Sequence, residues 1–160
     1  GGRLPEDNLR VIQLTSNTLG RGRAAYQKAR KLLLEWKMHE SSATTVILQD
    51  DCGALVTAAR MAPGLWVLNP CRTLSLPKAG ARETTVAYAT TSGHLIAGCE
   101  LMTVKQAADG TVRFQVESRS RGAGLLGRAI FPLLAPAQHR FFREQVRCME
   151  ELARVDGAHN

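Results

Sequence analysis

The alternation of apolar and polar residues changes period twice along the chain. In GRAAYQKARKLLLEWKMH the apolar positions Ala25, Ala29, Leu32, Leu33 and Trp36 recur three and four apart, the spacing of one helix face. Arg23, Lys28, Arg30, Lys31 and Lys37 fall largely off that face. The pattern predicts an amphipathic helix from about Arg23 to His39, ended by Ser41 and Ser42. From Thr45 the period becomes two. Runs at 45–49, 54–61, 65–68, 71–76, 83–91 and 97–107 read as strands, separated by Asp50-Asp51-Cys52-Gly53, Pro63-Gly64, Asn69-Pro70, a loop from Pro77 to Ala81, and Ser92-Gly93. Asp109-Gly110 marks a hairpin. In the run behind it Val112, Phe114, Val116 and Ser118 point one way, and Arg113, Gln115, Glu117 and Arg119 the other. That is a strand with one face buried and one wet.

After Gly122 and Gly124 the helical period returns. Leu133, Leu134, Ala137, Phe141, Val146, Met149 and Leu152 form the stripe of a long helix. Pro136 suits a first turn, or Pro132 and Pro136 kink one longer helix; Asp156-Gly157 is its stop. Residues 1–18, with Pro5 near the start, are polar and irregular, with Val11-Ile12-Gln13-Leu14 as a candidate edge strand. Strands joined by tight turns form an antiparallel sheet, and an apolar sheet face must be covered. The expected architecture is α+β: one domain over 1–160, with a curved sheet of about six strands wrapped on the C-terminal helix. A wedge between a bent sheet and a helix is a common ligand cavity.

Composition narrows this picture without redirecting it. A chain of 160 residues, 44% hydrophobic, suits one domain with a real core. No stretch reaches the roughly eighteen apolar residues of a membrane span, and no signal-peptide pattern opens the chain. A soluble intracellular protein is expected, in the cytoplasm or in a mitochondrion or plastid. The start at Gly1-Gly2-Arg3 suits a processed chain, a cleaved tag or a segment of something longer. Cys52, Cys71, Cys99 and Cys148 match no zinc spacing, so reduced thiols, no metal and no cofactor are expected. The formal charge of +7 makes RNA, an acidic protein or an anionic membrane surface a plausible neighbour. Arg140, Arg143 and Arg147 recur on one face of the last helix. They read as a solvated face or, with Arg21, Arg23, Lys28, Arg30 and Lys31, as a basic patch. Phosphate-cradling loops and nucleophile elbows are absent from the sequence.

Five stretches carry a resemblance: LGRGRAAYQKARKLLLEW, LWVLNPCR, AYATTSGHLIAGCE, DGTVRFQV and SRGAGLLGRAIFPLLAPAQHRFFREQVRCM. Together they resemble a family of bacterial and plant proteins, DUF1990, over Leu19 to Met149. That family looks like a member of the helix-grip, START-like superfamily that includes the birch-pollen-allergen fold. The resemblance implies the architecture already derived. It also implies a cavity under the C-terminal helix of the kind that takes lipids, sterols, hormones and polyketides, and that some superfamily members use as cyclases or hydratases. The chain departs from the family at Gly98-Cys99-Glu100, where the usual string is Gly-Glu-Glu, and at Arg119-Ser120-Arg121-Gly122, where it is Phe-Ser-Arg-Pro. The usual N-terminal strand has a counterpart only from Leu4-Pro5 onward, so one sheet edge is expected to be weak.

Candidate site residues follow from these patterns. In LWVLNPCR, Asn69-Pro70 reads as a bend, Trp66 as core or cavity wall, and Arg72 as a structural partner or an anchor for a carboxylate-bearing ligand. His94 caps a turn or forms a thiolate–imidazole pair with Cys99. Glu100 shares parity with Met102 and Val104, hence a buried glutamate paired to Arg72 or Arg121, or a general acid or base. The expected pocket takes apolar wall from Trp66, Tyr88, Phe114 and Phe141, and polar orientation from Arg72, His94 and Glu100. Binding of a small apolar or amphipathic molecule is the leading function. An accessory subunit of a larger, organellar nucleoprotein assembly is the alternative, and a cyclase- or hydratase-like enzyme comes third.

Overall fold

Residues 9–41, 44–74, 80–92 and 94–155 are described by a computed structural model. Expectations placed on Pro5, Ser42, residues 75–79, Gly93 and Asp156-Gly157 lie outside them. The described residues form β1 (Arg10–Thr15), β2 (Gly20–Arg21), α1 (Gly22–Leu34), a 3-10 turn (Lys37–His39), β3 (Thr44–Gln49), β4 (Ala54–Ala62), β5 (Leu65–Leu74), β6 (Glu83–Thr90), β7 (Ile96–Gln106), β8 (Thr111–Gly122) and α2 (Gly124–Val155). The strands make one curved antiparallel sheet in the order β1-β8-β7-β6-β5-β4-β3, with β2 added beside β8. β1 therefore supplies the edge that the family comparison left weak, pairing with β8 from Arg10↔Ser120 to Thr15↔Gln115.

The predicted first helix is shorter than its apolar stripe. Trp36 takes a left-handed backbone (φ 56°), and Lys37–His39 continue as a 3-10 turn. Trp36, Met38 and His39 are nonetheless buried, so the stripe reports burial across two elements. At the hairpin, Gly110 N–H donates to the Ala107 carbonyl at 3.0 Å, and Asp109 Oδ1 accepts the Thr111 N–H at 3.0 Å. α2 is one helix of 32 residues with Pro132 and Pro136 inside it. Each proline removes one backbone hydrogen bond, and both stand on the exposed side.

The expected bend at Asn69-Pro70 is corrected. β5 runs straight through it, with Asn69 opposite Thr57 and Pro70 opposite Val56 in β4. The ladder with β6 begins only at Cys71↔Thr90. The Pro70 carbonyl accepts the Thr91 N–H at 3.1 Å. N–H and C=O of one strand residue point to the same side, so the missing N–H of Pro70 faces the β6 side at the end of that ladder and costs β4 nothing.

Unbroken, β5 keeps one parity. Val67, Asn69 and Cys71 share the face of Tyr88 and Leu55, while Trp66, Pro70 and Arg72 share the other. The core on the inner face joins Tyr26 and Leu33 of α1, Met102 and Val104 of β7, Val112, Phe114 and Val116 of β8, and Phe142 and Met149 of α2. Tyr26 spans it, its hydroxyl 2.8 Å from Thr84 Oγ1.

Candidate functional site

The inward positions of β8 read Val112, Phe114, Val116, Ser118, Ser120, Gly122, all buried. Large side chains fill the half of the face beneath α1. Serine and glycine occupy the half beneath the N-terminal part of α2. Across the register Ser118 faces Glu100, Glu100 faces Tyr88, and Ser120 faces Gly98. Gly98 is required there: a Cβ would stand 2.4 Å from the Arg119 carbonyl oxygen and 2.8 Å from Ser120 Cβ. Gly122 likewise lets α2 start close, since its Cβ would lie 2.3 Å from the Gly127 carbonyl oxygen. Small residues on the sheet under a helix leave a space, and here it is a cavity of about 270 Å³, near the lower end of small-molecule pockets.

Leu134, Ala137, Gln138 and Phe141 of α2 roof the cavity, and Val67, Asn69 and Cys71 of β5 form one wall. Leu68 and Leu95 both line it and are exposed, which marks its mouth. Most of its polar groups lie on the sheet side, and Gln138 reaches them from α2. Tyr88 Oη donates a hydrogen bond to Glu100 Oε2. Ser120 Oγ and the Gln138 amide are joined, Nε2 to Oγ, at 2.9 Å. Ser118 is fully buried, and its hydroxyl has no hydrogen-bond partner among the described residues. The Ile96 N–H donates to His94 Nδ1 at 2.9 Å, which leaves Nε2 as the protonated nitrogen of the neutral ring.

Burial sets the protonation states. It pushes the Glu100 carboxyl up to about 8, against a smaller opposing effect of the Tyr88 hydrogen bond, so the neutral acid dominates at pH 7. Burial also raises the Tyr88 phenol well above its ordinary value, with the adjacent Glu100 carboxyl acting in the same direction. The Cys71 thiol rises to about 12, again through burial first and then Glu100. Burial lowers His94 and raises Cys99. Those directions oppose a thiolate–imidazolium pair, and His94 Nδ1 is already engaged by Ile96. Beside Tyr88, His39 is fully buried and held down to about 4. Among the described residues no group of three His, Cys, Asp or Glu is placed to hold a metal.

Of the seven residues named from the sequence, Tyr88, His94, Glu100 and Phe141 line the cavity. The structure places the other three elsewhere. Phe114 is fully buried in the packed half of the core. Trp66 is 45% exposed, and Arg72 is exposed on the same outer parity of β5. The expected ion pair is also corrected: the recorded partner of Glu100 is Tyr88, not Arg72 or Arg121. Sequence reasoning missed Asn69, Cys71, Ser118, Ser120 and Gln138. The even parity of β8 carried the signal for the two serines.

Arg140, Arg143 and Arg147 are exposed and line a shallow groove between α2 and β1, together with Glu144 and Glu150. Arg147 pairs with Glu151 at 2.7 Å, and Glu150 accepts the Asn17 N–H at 2.7 Å. Lys28 Nζ donates to the Ala153 carbonyl, and Arg23 to that of Ala81. Part of the basic set is therefore engaged locally. No helix among the described residues is long and apolar enough to cross a membrane.

A curved antiparallel sheet closed on a long C-terminal helix, with a hollow between them, defines a helix-grip protein. Residues 2–148 match the family described as Domain of unknown function (DUF1990), and the chain belongs to that family. Its fold is similar to that of the Zhui aromatase/cyclase from Streptomyces sp. R1128, with TM-score 0.66 and 12% identity over 96% of this chain and 99% of that one. It is also similar to TTHA0849 from Thermus thermophilus, with TM-score 0.62 and 12% identity over 93% and 100%. A third likeness is to SA2116 of Staphylococcus aureus, a protein of unknown function, with TM-score 0.58 and 12% identity over 94% and 96%. At these identities the likeness is one of fold. No curated protein matches the sequence.

Proposed function

We propose that this protein binds a small, largely apolar molecule between the sheet and α2, with the polar end of that molecule at Glu100, Tyr88 and Ser118. One observation carries the reading: an open-mouthed hollow of about 270 Å³ whose sheet side holds a carboxyl group desolvated by burial. A core built only for stability would fill that space, because voids forfeit packing energy. Leu134, Ala137 and Phe141 supply apolar wall, and the volume suits one slender chain or a small ring system. Incubation with a lipid extract followed by native mass spectrometry tests the reading. One retained molecule per chain is expected, and Ala137→Trp, which fills the hollow, should abolish retention. If the native chain retains nothing, the reading fails.

A second reading has one observation behind it. A carboxyl group held near neutrality and hydrogen-bonded to a buried phenol has the properties of a general acid or base, and a fold relative is an aromatase/cyclase. Turnover of a poly-β-ketone analogue that is lost in Glu100→Gln would favour it over binding alone. The assembly reading rests on the exposed α2 arginines and is tested by co-purification at low salt.

A further inference from the structure

The polar groups of the cavity have a one-sided character. Among the described residues, Glu100 is the sole acidic side chain in the lining, and no lysine or arginine lines it. Arg72, the cation that the sequence offered as an anchor, lies on the opposite parity of β5. Among the described residues, the titratable groups around Glu100 add no positive charge at pH 7. They are Tyr88 on β6, Cys71 on β5, Cys99 beside it on β7, His94 in the loop before β7, and His39 of the 3-10 turn stacked near Tyr88. α2 faces the region with Gln138, Phe141 and Gln145, none of which titrates. Opposite Glu100 across the register stands the buried, unpartnered hydroxyl of Ser118. An anionic headgroup here would meet a carboxyl and no cation, and an unpaired charge in such surroundings is strongly disfavoured. A neutral oxygen would instead accept from the carboxylic acid and the serine hydroxyl and satisfy both.

We propose that the hollow is selective for uncharged molecules whose inner end carries a neutral oxygen, a carbonyl or hydroxyl, held by Glu100 and Ser118, and that it rejects carboxylates. This rests on the pocket reading above and narrows it. The raised Glu100 carboxyl, about 8, supports the same conclusion, because the acid form is the donor near pH 7.

The test uses the full chain and four ten-carbon probes: 2-decanone, 1-decanol, decanoic acid and decylamine, titrated calorimetrically from pH 5 to pH 9. At pH 7 the ketone and alcohol should bind about 100-fold more tightly than the acid, the cost of neutralising a carboxylate about two units above its ordinary value. Affinity for the acid should rise roughly tenfold per unit as pH falls toward 5, since only its protonated form enters. Ketone binding should weaken above about pH 8 in the native chain but stay level in Glu100→Gln. Ser118→Ala should weaken the ketone about fivefold, one neutral hydrogen bond, and serves if Glu100→Gln does not fold. Decanoic acid matching the ketone at pH 7 overturns the proposal and leaves the pocket reading standing, as does decylamine binding more tightly than either neutral probe. Failure of all four probes to bind overturns both.

Discussion

The inner face of the sheet has two halves built on the same strands. Under α1, β8 presents Val112, Phe114 and Val116, and β7 presents Met102 and Val104, all fully buried. Under the N-terminal part of α2 the same two strands present Ser118, Ser120 and Gly122, and Glu100 and Gly98. Nothing in the register changes between the halves: β7 and β8 pair without a shift from Ile96↔Gly122 to Gln106↔Val112. What changes is side-chain volume at fixed backbone geometry. The fold is therefore anchored by one half, and the other is free to be hollow and polar without weakening the whole core.

Breaking the packed half should have the largest effect. Phe114→Ala opens a void in a region with no space to spare, and should destabilise by about 3–5 kcal/mol in urea unfolding. A loss as small as that of a surface truncation would mean that the two halves are equally loose.

The next effect comes from the hollow half and depends on pH. The Glu100 carboxyl has an ordinary value of 4.5 in the unfolded chain and about 8 when folded. Between those values the folded state holds a proton that the unfolded state has released, so stability falls as pH rises through that window. Glu100→Gln removes the effect. It should match the native chain near pH 4.5 and exceed it by a few kcal/mol at pH 9, read from melting temperatures across pH. His39 acts in the other direction: burial lowers it from 6.5 to about 4, so stability is lost as pH falls through that range. The native chain should be most stable between the two limits. A flat alkaline limb would mean that Glu100 sits in water.

Much of this division was legible in the chain. Alternation identified the long strands β6, β7 and β8, each with a face more buried than the other, whereas β5 was read as two runs. The same parity put Glu100 beside Met102 and Val104, and Ser118 beside Phe114. A hollow under the last helix was expected from the architecture, but its place along the face was not legible, since a serine at an inward position reads the same whether a helix side chain or empty space lies above it. Only the placement of α2, set by close contacts such as Gly122 against Gly127, decides that. Asn69-Pro70 misled for a related reason. Proline signals a bend unless its missing N–H falls where a ladder has already ended, and that is a tertiary fact. Breaking β5 at that point lost the parity that sends Trp66 and Arg72 outward and Asn69 and Cys71 inward. Gln138 escaped notice because a helix stripe is traced through apolar residues, whereas its buried amide is matched to Ser120.

Gly98→Ala probes the close approach of β7 and β8 within the hollow half. Its methyl would meet the β8 backbone at 2.4 Å, so β7 and β8 must separate, at a cost of about 1–3 kcal/mol. Ligand affinity should fall with it, because Ser118 and Glu100 face each other across that pair. Ser118→Val probes the hollow alone. The valine places methyl groups in empty space and removes an unmatched hydroxyl, for a gain of about 1 kcal/mol. A valine that destabilises instead would show this end of the face to be packed as tightly as the Phe114 end.

The smallest effect belongs to the most conspicuous residue of the LWVLNPCR string. Trp66 lies opposite Arg60 on the β4–β5 hairpin and is not among the residues that line the hollow under α2. Exposed substitutions remote from buried features shift stability by less than about 0.5 kcal/mol, so Trp66→Ala should leave the urea midpoint and the affinity for 2-decanone nearly unchanged. Cys71→Ser, on the opposite face of the same strand, places a hydroxyl in the cavity wall and should change both. A loss of ligand affinity in Trp66→Ala equal to that in Cys71→Ser would mean that β5 does not keep one parity through Pro70, and the inner and outer faces assigned to this strand would have to be exchanged on one side of the proline.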